Sequence, residues 1–137
     1  MNINLSSHGI VALVKKGNKF LLLEDCRKLM KSFWAPPHGR FNPLDRTEKD
    51  IVIREVFEET GLKIMPVKKL YTTKADTKVK TVSFWLVKTK SRKITIDPKE
   101  TGNFGWFDLE EILKLKLYPG TKRFFAKVKN GEIILNS

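Results

Sequence analysis

One stretch, Trp34 to Leu62, constrains this chain more than any other: W-A-P-P-H-G-R-F-N-P-L-D-R-T-E-K-D-I-V-I-R-E-V-F-E-E-T-G-L. Pro36, Pro37, Gly39 and Pro43 break regular structure up to about Asp45, so the first half reads as a loop. A helix follows. Thr47 suits its N-cap, with Asp50 three residues on to close a capping box, and Gly61 suits its C-terminal stop. At about 100° per residue, Val52, Ile53, Val56, Phe57 and Thr60 fall on one side, the expected buried face. Glu55, Glu58 and Glu59 fall together on the other, with Ile51 among them.

Three carboxylates on one helical face repel one another and weaken the helix. Between Ile51 and Leu62 the only cation is Arg54, placed to pair with Glu58 one turn on. Clustered hard oxygen donors are what Mg²⁺ or Mn²⁺ requires, above all when substrate phosphates complete the coordination. The plainer alternative is a solvated acidic face that binds nothing.

The longer pattern resembles the Nudix hydrolase signature, G-x5-E-x7-R-E-U-x-E-E-x-G-U, with U a bulky aliphatic residue, as in MutT-like enzymes. Gly39 matches its first glycine, and Arg54, Glu55, Val56, Glu58, Glu59, Gly61 and Leu62 match its second half. The first glutamate is replaced by Asp45, and eight residues rather than seven separate it from Arg54. The resemblance implies an α/β fold, a mixed β-sheet between helices in an α/β/α sandwich. It also implies Mg²⁺ or Mn²⁺ held by Glu55 and Glu59, assisted by the Gly39 carbonyl and Glu58, with Arg54 orienting Glu58. Family members often carry a further glutamate before a tryptophan, and Glu100 precedes Trp106. Glu100 is therefore a second candidate, with Glu58, for the general base, and a candidate to reach the metal. The implied reaction is hydrolysis of a nucleoside diphosphate linked to some other group.

Length and charge set the remaining bounds. A chain of 137 residues is read as one domain spanning residues 1–137, with a single core. No run of 18 apolar residues exists and no secretory signal opens the chain, so no membrane partner is expected. Cys26 is the lone cysteine and cannot close an internal disulfide, which fits a cytoplasmic location and a structural role. The net charge of +12 suits solubility, a polyanionic substrate or nucleic acid, and the scatter of the lysines favours the first two. Lysines occur throughout, and no arginines alternate with stacked aromatics, which disfavours nucleic acid as a partner.

In order, Gly9–Val14 and Lys19–Glu24 read as strands around a Lys16-Gly17-Asn18 turn. Asp25–Ser32 is a basic connection in which Arg27, Lys28 and Lys31 can meet phosphates or equally be a solvated loop. His8 is expected at the surface. Strands are expected over Lys63–Lys74 and Val79–Lys88, around a turn at Ala75–Lys78. In the second, Val82, Phe84 and Leu86 face one side and Thr81, Ser83, Trp85 and Val87 the other. Lys90–Lys93 reads as a basic turn, Ile94–Ile96 as short and extended, Asp97–Gly105 as a loop, and Trp106-Phe107 as a short strand. Asp108 caps a helix through Lys116, Pro119 starts another to about Lys129, and Ile133–Leu135 suits a final edge strand.

Substrate choice is marked by W-A-P-P-H-G-R, which is similar to the W-x-P-P-K-G-H of asymmetric dinucleoside tetraphosphate hydrolases. His38 and Arg40 stand where that pattern has lysine and histidine, and both can bind phosphate. Tyr118 and Phe124 are candidates to stack on a base, although such residues also build cores. Three readings follow: a dinucleoside polyphosphate hydrolase, a pyrophosphatase that clears damaged nucleoside triphosphates, and an idle Nudix-like domain that binds RNA. The intact R-E-x-x-E-E argues against the third.

Overall fold

The computed structural model describes residues 3–27, 31–75, 78–91 and 93–135. Its centre is β1 (His8–Lys16), an almost uninterrupted apolar strand. Ile10, Ala12 and Val14 join one core, and Val11 and Leu13 join another. A strand buried on both faces needs a layer on each side. The helix α1 (Glu48–Thr60) supplies one layer through Ile51, Val52 and Val56. The other comes from α2 (Leu109–Ile112) and α3 (Pro119–Lys129), through Ile112, Phe124 and Phe125. The α/β/α sandwich is as expected.

The sheet is mixed. β1 forms a hairpin with β2 (Lys19–Asp25) and runs parallel to β6 (Thr81–Thr89), which pairs antiparallel with β5 (Ile64–Lys74). The alternation expected in β6 is borne out: Trp85 and Val87 pack on the α1 side, Phe84 and Leu86 on the α3 side. β3 (Trp34–Ala35) adds to β2, and β4 (His38–Arg40) adds to β1. The expected loop therefore holds two short strands, and its prolines Pro36 and Pro37 are buried.

Several expectations need correction. β7 spans Thr101–Phe107, so most of the expected loop before Trp106 is strand. Gly102, Asn103 and Gly105 are poor strand formers, but pairing with Phe20–Asp25 of β2 overrides propensity. α2 stops at Ile112 instead of Lys116. Ile133–Leu135 forms no strand, yet Ile133 packs against the core, as do Ile94 and Ile96. On α1 the buried side includes Ile51, whereas Ile53 and Phe57 are 43% and 52% exposed. His8 is not at the surface: it is fully buried, with Nε2 2.9 Å from Glu48 Oε1 and Nδ1 2.7 Å from Thr81 Oγ1. Phe124 is fully buried and stacks on Phe84, ring centroids 4.1 Å apart, so it is not available to a base. Asp76, Thr77, Lys28 and Arg92, which fall in the expected turns and the basic connection, lie outside the described residues.

Candidate active site

α1 begins as its sequence directs. Thr47 accepts the Asp50 amide, and Asp50 returns a bond to the Thr47 amide. At the far end Gly61 takes the left-handed conformation, φ 72°, that a side chain resists. The helix packs against β1, and β4 brings Gly39 beside it through its pairing with Ile10. A Cβ on Gly39 would sit 2.0 Å from Glu55 Cδ, so the Glu55 carboxyl lies directly over the loop backbone. One turn on, Glu59 Oε2 accepts the His38 amide at 2.9 Å.

Arg54 organises this corner. It donates to both oxygens of Asp45, Nε to Oδ1 at 3.1 Å and Nη2 to Oδ2 at 2.8 Å. Nη1 reaches Glu55 Oε1 at 2.7 Å and the Glu58 oxygens at 3.2 and 3.3 Å, and Nη2 also reaches the Arg40 carbonyl at 2.8 Å. The expected pairing with Glu58 is present, but Arg54 bonds Glu55 and Asp45 more closely. Asp45, which replaces the first glutamate of the pattern, is buried, and its carboxyl is held below the usual range by Arg54. Glu58 stands at the rim with its side chain 54% exposed.

The electrostatics are those of a crowded acidic pocket. Burial pushes the Glu55 carboxyl up despite its bond to Arg54. Burial, then the neighbouring Glu55 charge, pushes Glu59 well above the ordinary value; Glu100 adds to the rise, while the His38 amide and Arg27 oppose it. Glu100, on an exposed turn, is thus brought within electrostatic reach of Glu59. Among the described residues no three acidic, histidine or cysteine side chains already converge in ligating geometry. The donor set is nevertheless hard anionic oxygen, and the approach of Glu55 to Gly39 leaves no room for a side chain between them.

The other expected contacts are mixed. His38 and Arg40 are exposed beside Gly39, and His38 Nδ1 donates to the Pro36 carbonyl at 3.0 Å. Tyr118 stacks on Phe33 with ring centroids 5.0 Å apart, and the His38 ring meets its edge at 6.1 Å. Its hydroxyl bonds Asp25 at 2.6 Å. One aromatic face of Tyr118 is therefore occupied. The Asp25–Tyr118 contact had no local signal, because 93 residues separate the partners.

The NUDIX domain family model matches residues 5–128. Among solved structures, the MutT protein of Methanosarcina mazei Go1 is 26% identical, with TM-score 0.72, covering 91% of this chain and 94% of that one. The Ap4A hydrolase of C. elegans is 25% identical, with TM-score 0.69, covering 91% and 96%. The MutT NUDIX hydrolase of Burkholderia pseudomallei shares the fold at 20% identity, with TM-score 0.72, covering 89% and 97%. The chain belongs to the NUDIX domain family, hydrolases of nucleoside diphosphates linked to another group that generally use divalent metal ions.

Proposed function

We propose that this protein hydrolyses a phosphoanhydride of a dinucleoside polyphosphate, with Mg²⁺ or Mn²⁺ as its cation. The observation that carries this reading is the placement of Glu55 over Gly39 and of Glu59 on the His38 amide. Two carboxylates are held beside one loop, and burial pushes both pKa values up, with the Glu58 and Asp45 charges adding to the rise at Glu55 and the Glu55 charge to that at Glu59. Glu55, Glu59 and the Gly39 carbonyl are the proposed ligands, with Glu58 and Glu100 at the edge of the set. When bound, the cation neutralises phosphate charge and lowers the pKa of the attacking water.

Around that site the chain's own groups have separable roles. Arg54 fixes Glu55 and ties it to Asp45. Glu58 and Glu100, both exposed, are the candidates to take the water's proton. Arg40 can meet distal phosphates. His38 gives its Nδ1 proton to Pro36, so it donates to phosphate only through a protonated Nε2. Tyr118 borders the pocket for a base. The W-A-P-P-H-G-R loop and the likeness to the C. elegans Ap4A hydrolase support diadenosine tetraphosphate as substrate, cleaved to ATP and AMP. The likeness to the M. mazei MutT protein favours a second reading, a nucleoside triphosphate pyrophosphatase.

A screen of both substrate classes with Mg²⁺, Mn²⁺ and EDTA tests the assignment. Diadenosine tetraphosphate should have the higher kcat/KM, and Arg40→Ala should raise its KM more than that of a triphosphate. Glu59→Gln should lower kcat roughly 10²–10³-fold. Faster release of pyrophosphate from a triphosphate promotes the second reading, and full activity in EDTA rejects both.

A further inference from the structure

The end of β2 is built around a buried carboxylate that the chemistry above leaves unused. Asp25 is 9% exposed and accepts the Arg27 amide at 2.9 Å, Arg27 Nε at 3.0 and 3.1 Å, Arg27 Nη2 at 2.6 Å and the Tyr118 hydroxyl at 2.6 Å. Burial alone would push its pKa up, but the bonds from Arg27 and Tyr118 outweigh burial and hold it at about 2. Arg27 is treated differently. Its side chain is 54% exposed, and its Nη1 has no partner among the described residues. The fork is clamped along one edge and open along the other.

The cluster lies by the acidic pocket: Tyr118, which shares Asp25 with Arg27, meets the His38 ring at 6.1 Å, and the His38 amide bonds Glu59. Cys26 donates its amide to the Glu100 carbonyl at 3.0 Å, and Asp25 pairs with Thr101, so the Asp25–Arg27 segment is fastened to the turn that carries Glu100. On the other flank Asp25 donates its amide to the Phe33 carbonyl at 2.8 Å, beside the Phe33–Tyr118 stack. The Arg27 charge is felt at Glu59, where it opposes the rise in pKa. The exposed guanidinium thus shares one corner of the molecule with the carboxylates of Glu55 and Glu59. Neutralising them needs only a mobile lysine. A guanidinium fixed by a bidentate carboxylate instead presents donors of set direction, which suits phosphate oxygens and loses little freedom on binding.

We propose that Arg27 grips the phosphate chain of the substrate, and that Asp25 and Tyr118 are positioning residues that hold its guanidinium ready. The inference rests on the reading that phosphates lie over Glu55 and Glu59. Its test pairs steady-state kinetics on ATP and diadenosine tetraphosphate with metal-free binding of ADP in EDTA, followed by calorimetry. Arg27→Ala should raise KM about 10- to 100-fold, the scale of one charge-assisted contact, with kcat within about 3-fold of wild type. ADP binding should weaken in step, and Arg27→Lys should recover part of the loss. Asp25→Asn and Tyr118→Phe should move KM in the same direction by less, with the pH profile of kcat unchanged. Arg27→Gln, which keeps the stem, replaces Arg27→Ala if the latter melts early. An unchanged KM, or a fall in kcat alone, overturns the inference and leaves the hydrolase reading standing. No turnover of any nucleotide by wild-type protein overturns both.

Discussion

Arg54 and Asp45 are joined by two hydrogen bonds, Nε to Oδ1 at 3.1 Å and Nη2 to Oδ2 at 2.8 Å, across nine residues of chain. The pair closes the signature loop onto α1. It also fixes the guanidinium whose remaining nitrogen, Nη1, holds Glu55. A fork-to-fork contact of this kind sets orientation as well as distance, which a lysine cannot do.

Asp45→Ala should therefore act at two levels. It leaves a half-buried guanidinium short of its acceptor, which costs about 1–3 kcal/mol. It also frees Glu55 to turn, so kcat should fall about 10-fold or more. Asp45→Glu should keep much of both. Thermal melts and kcat on one substrate check this. A variant with wild-type kcat would show that Glu55 needs no such support.

Gly39→Ala separates stability from activity. The new Cβ would overlap Glu55 Cδ at 2.0 Å, and the group that must yield is the end of a flexible side chain. The change in stability should stay within about 1 kcal/mol. Displacing that carboxylate should cost about 10²-fold in kcat. A large loss of Tm with full activity per folded molecule would reverse the argument.

Glu59 should make the metal-free protein less stable as pH rises. Its folded-state pKa is raised, so the native state binds its proton more tightly than the unfolded chain does. Stability then falls as pH climbs from the ordinary carboxylate range through the raised value, because the native state carries the unfavourable charge. Chemical denaturation in EDTA between pH 4 and neutrality should show that slope, flattened in Glu59→Gln. Glu59→Gln should be as stable as wild type or more so, relieving about 0.2–0.5 kcal/mol per like-charge pair. A clearly lower melt for Glu59→Gln would mean the carboxylate supports the fold.

Glu48 has the opposite sign. Burial would raise its pKa, but bonds from Lys69, Ser83, His8 and Trp85 hold it at about 2. Its contribution is fully present above the ordinary glutamate value and is lost as pH falls through about 2. Glu48→Gln should destabilise at neutral pH by about 2 kcal/mol and reduce the acid sensitivity of the melt below pH 4.5. Equal acid sensitivity in both proteins would remove Glu48 from the account.

What the sequence determined by itself was local. Thr47, Asp50 and Gly61 mark the ends of α1 because caps are satisfied within a turn of the helix. The Lys16-Gly17-Asn18 turn marks the first hairpin, the two-residue alternation marks the faces of β6, and Pro119 marks the start of α3. R-E-x-x-E-E names the acidic corner, since one helix carries all of it. The tertiary structure alone decided the rest. Ile51 is buried while Ile53 and Phe57 are exposed, because β1 and β5 pack on α1 from the Ile51 side. His8 is buried because Glu48 and Thr81, 40 and 73 residues away, supply its partners. Thr101–Gly105 is strand because β2 offers an open edge to pair with. Asp45 serves Arg54, and Asp25 serves Arg27 and Tyr118, for the same reason: a carboxylate's role is set by which donors the fold brings to it, and backbone pairing across the sheet brings them from far along the chain.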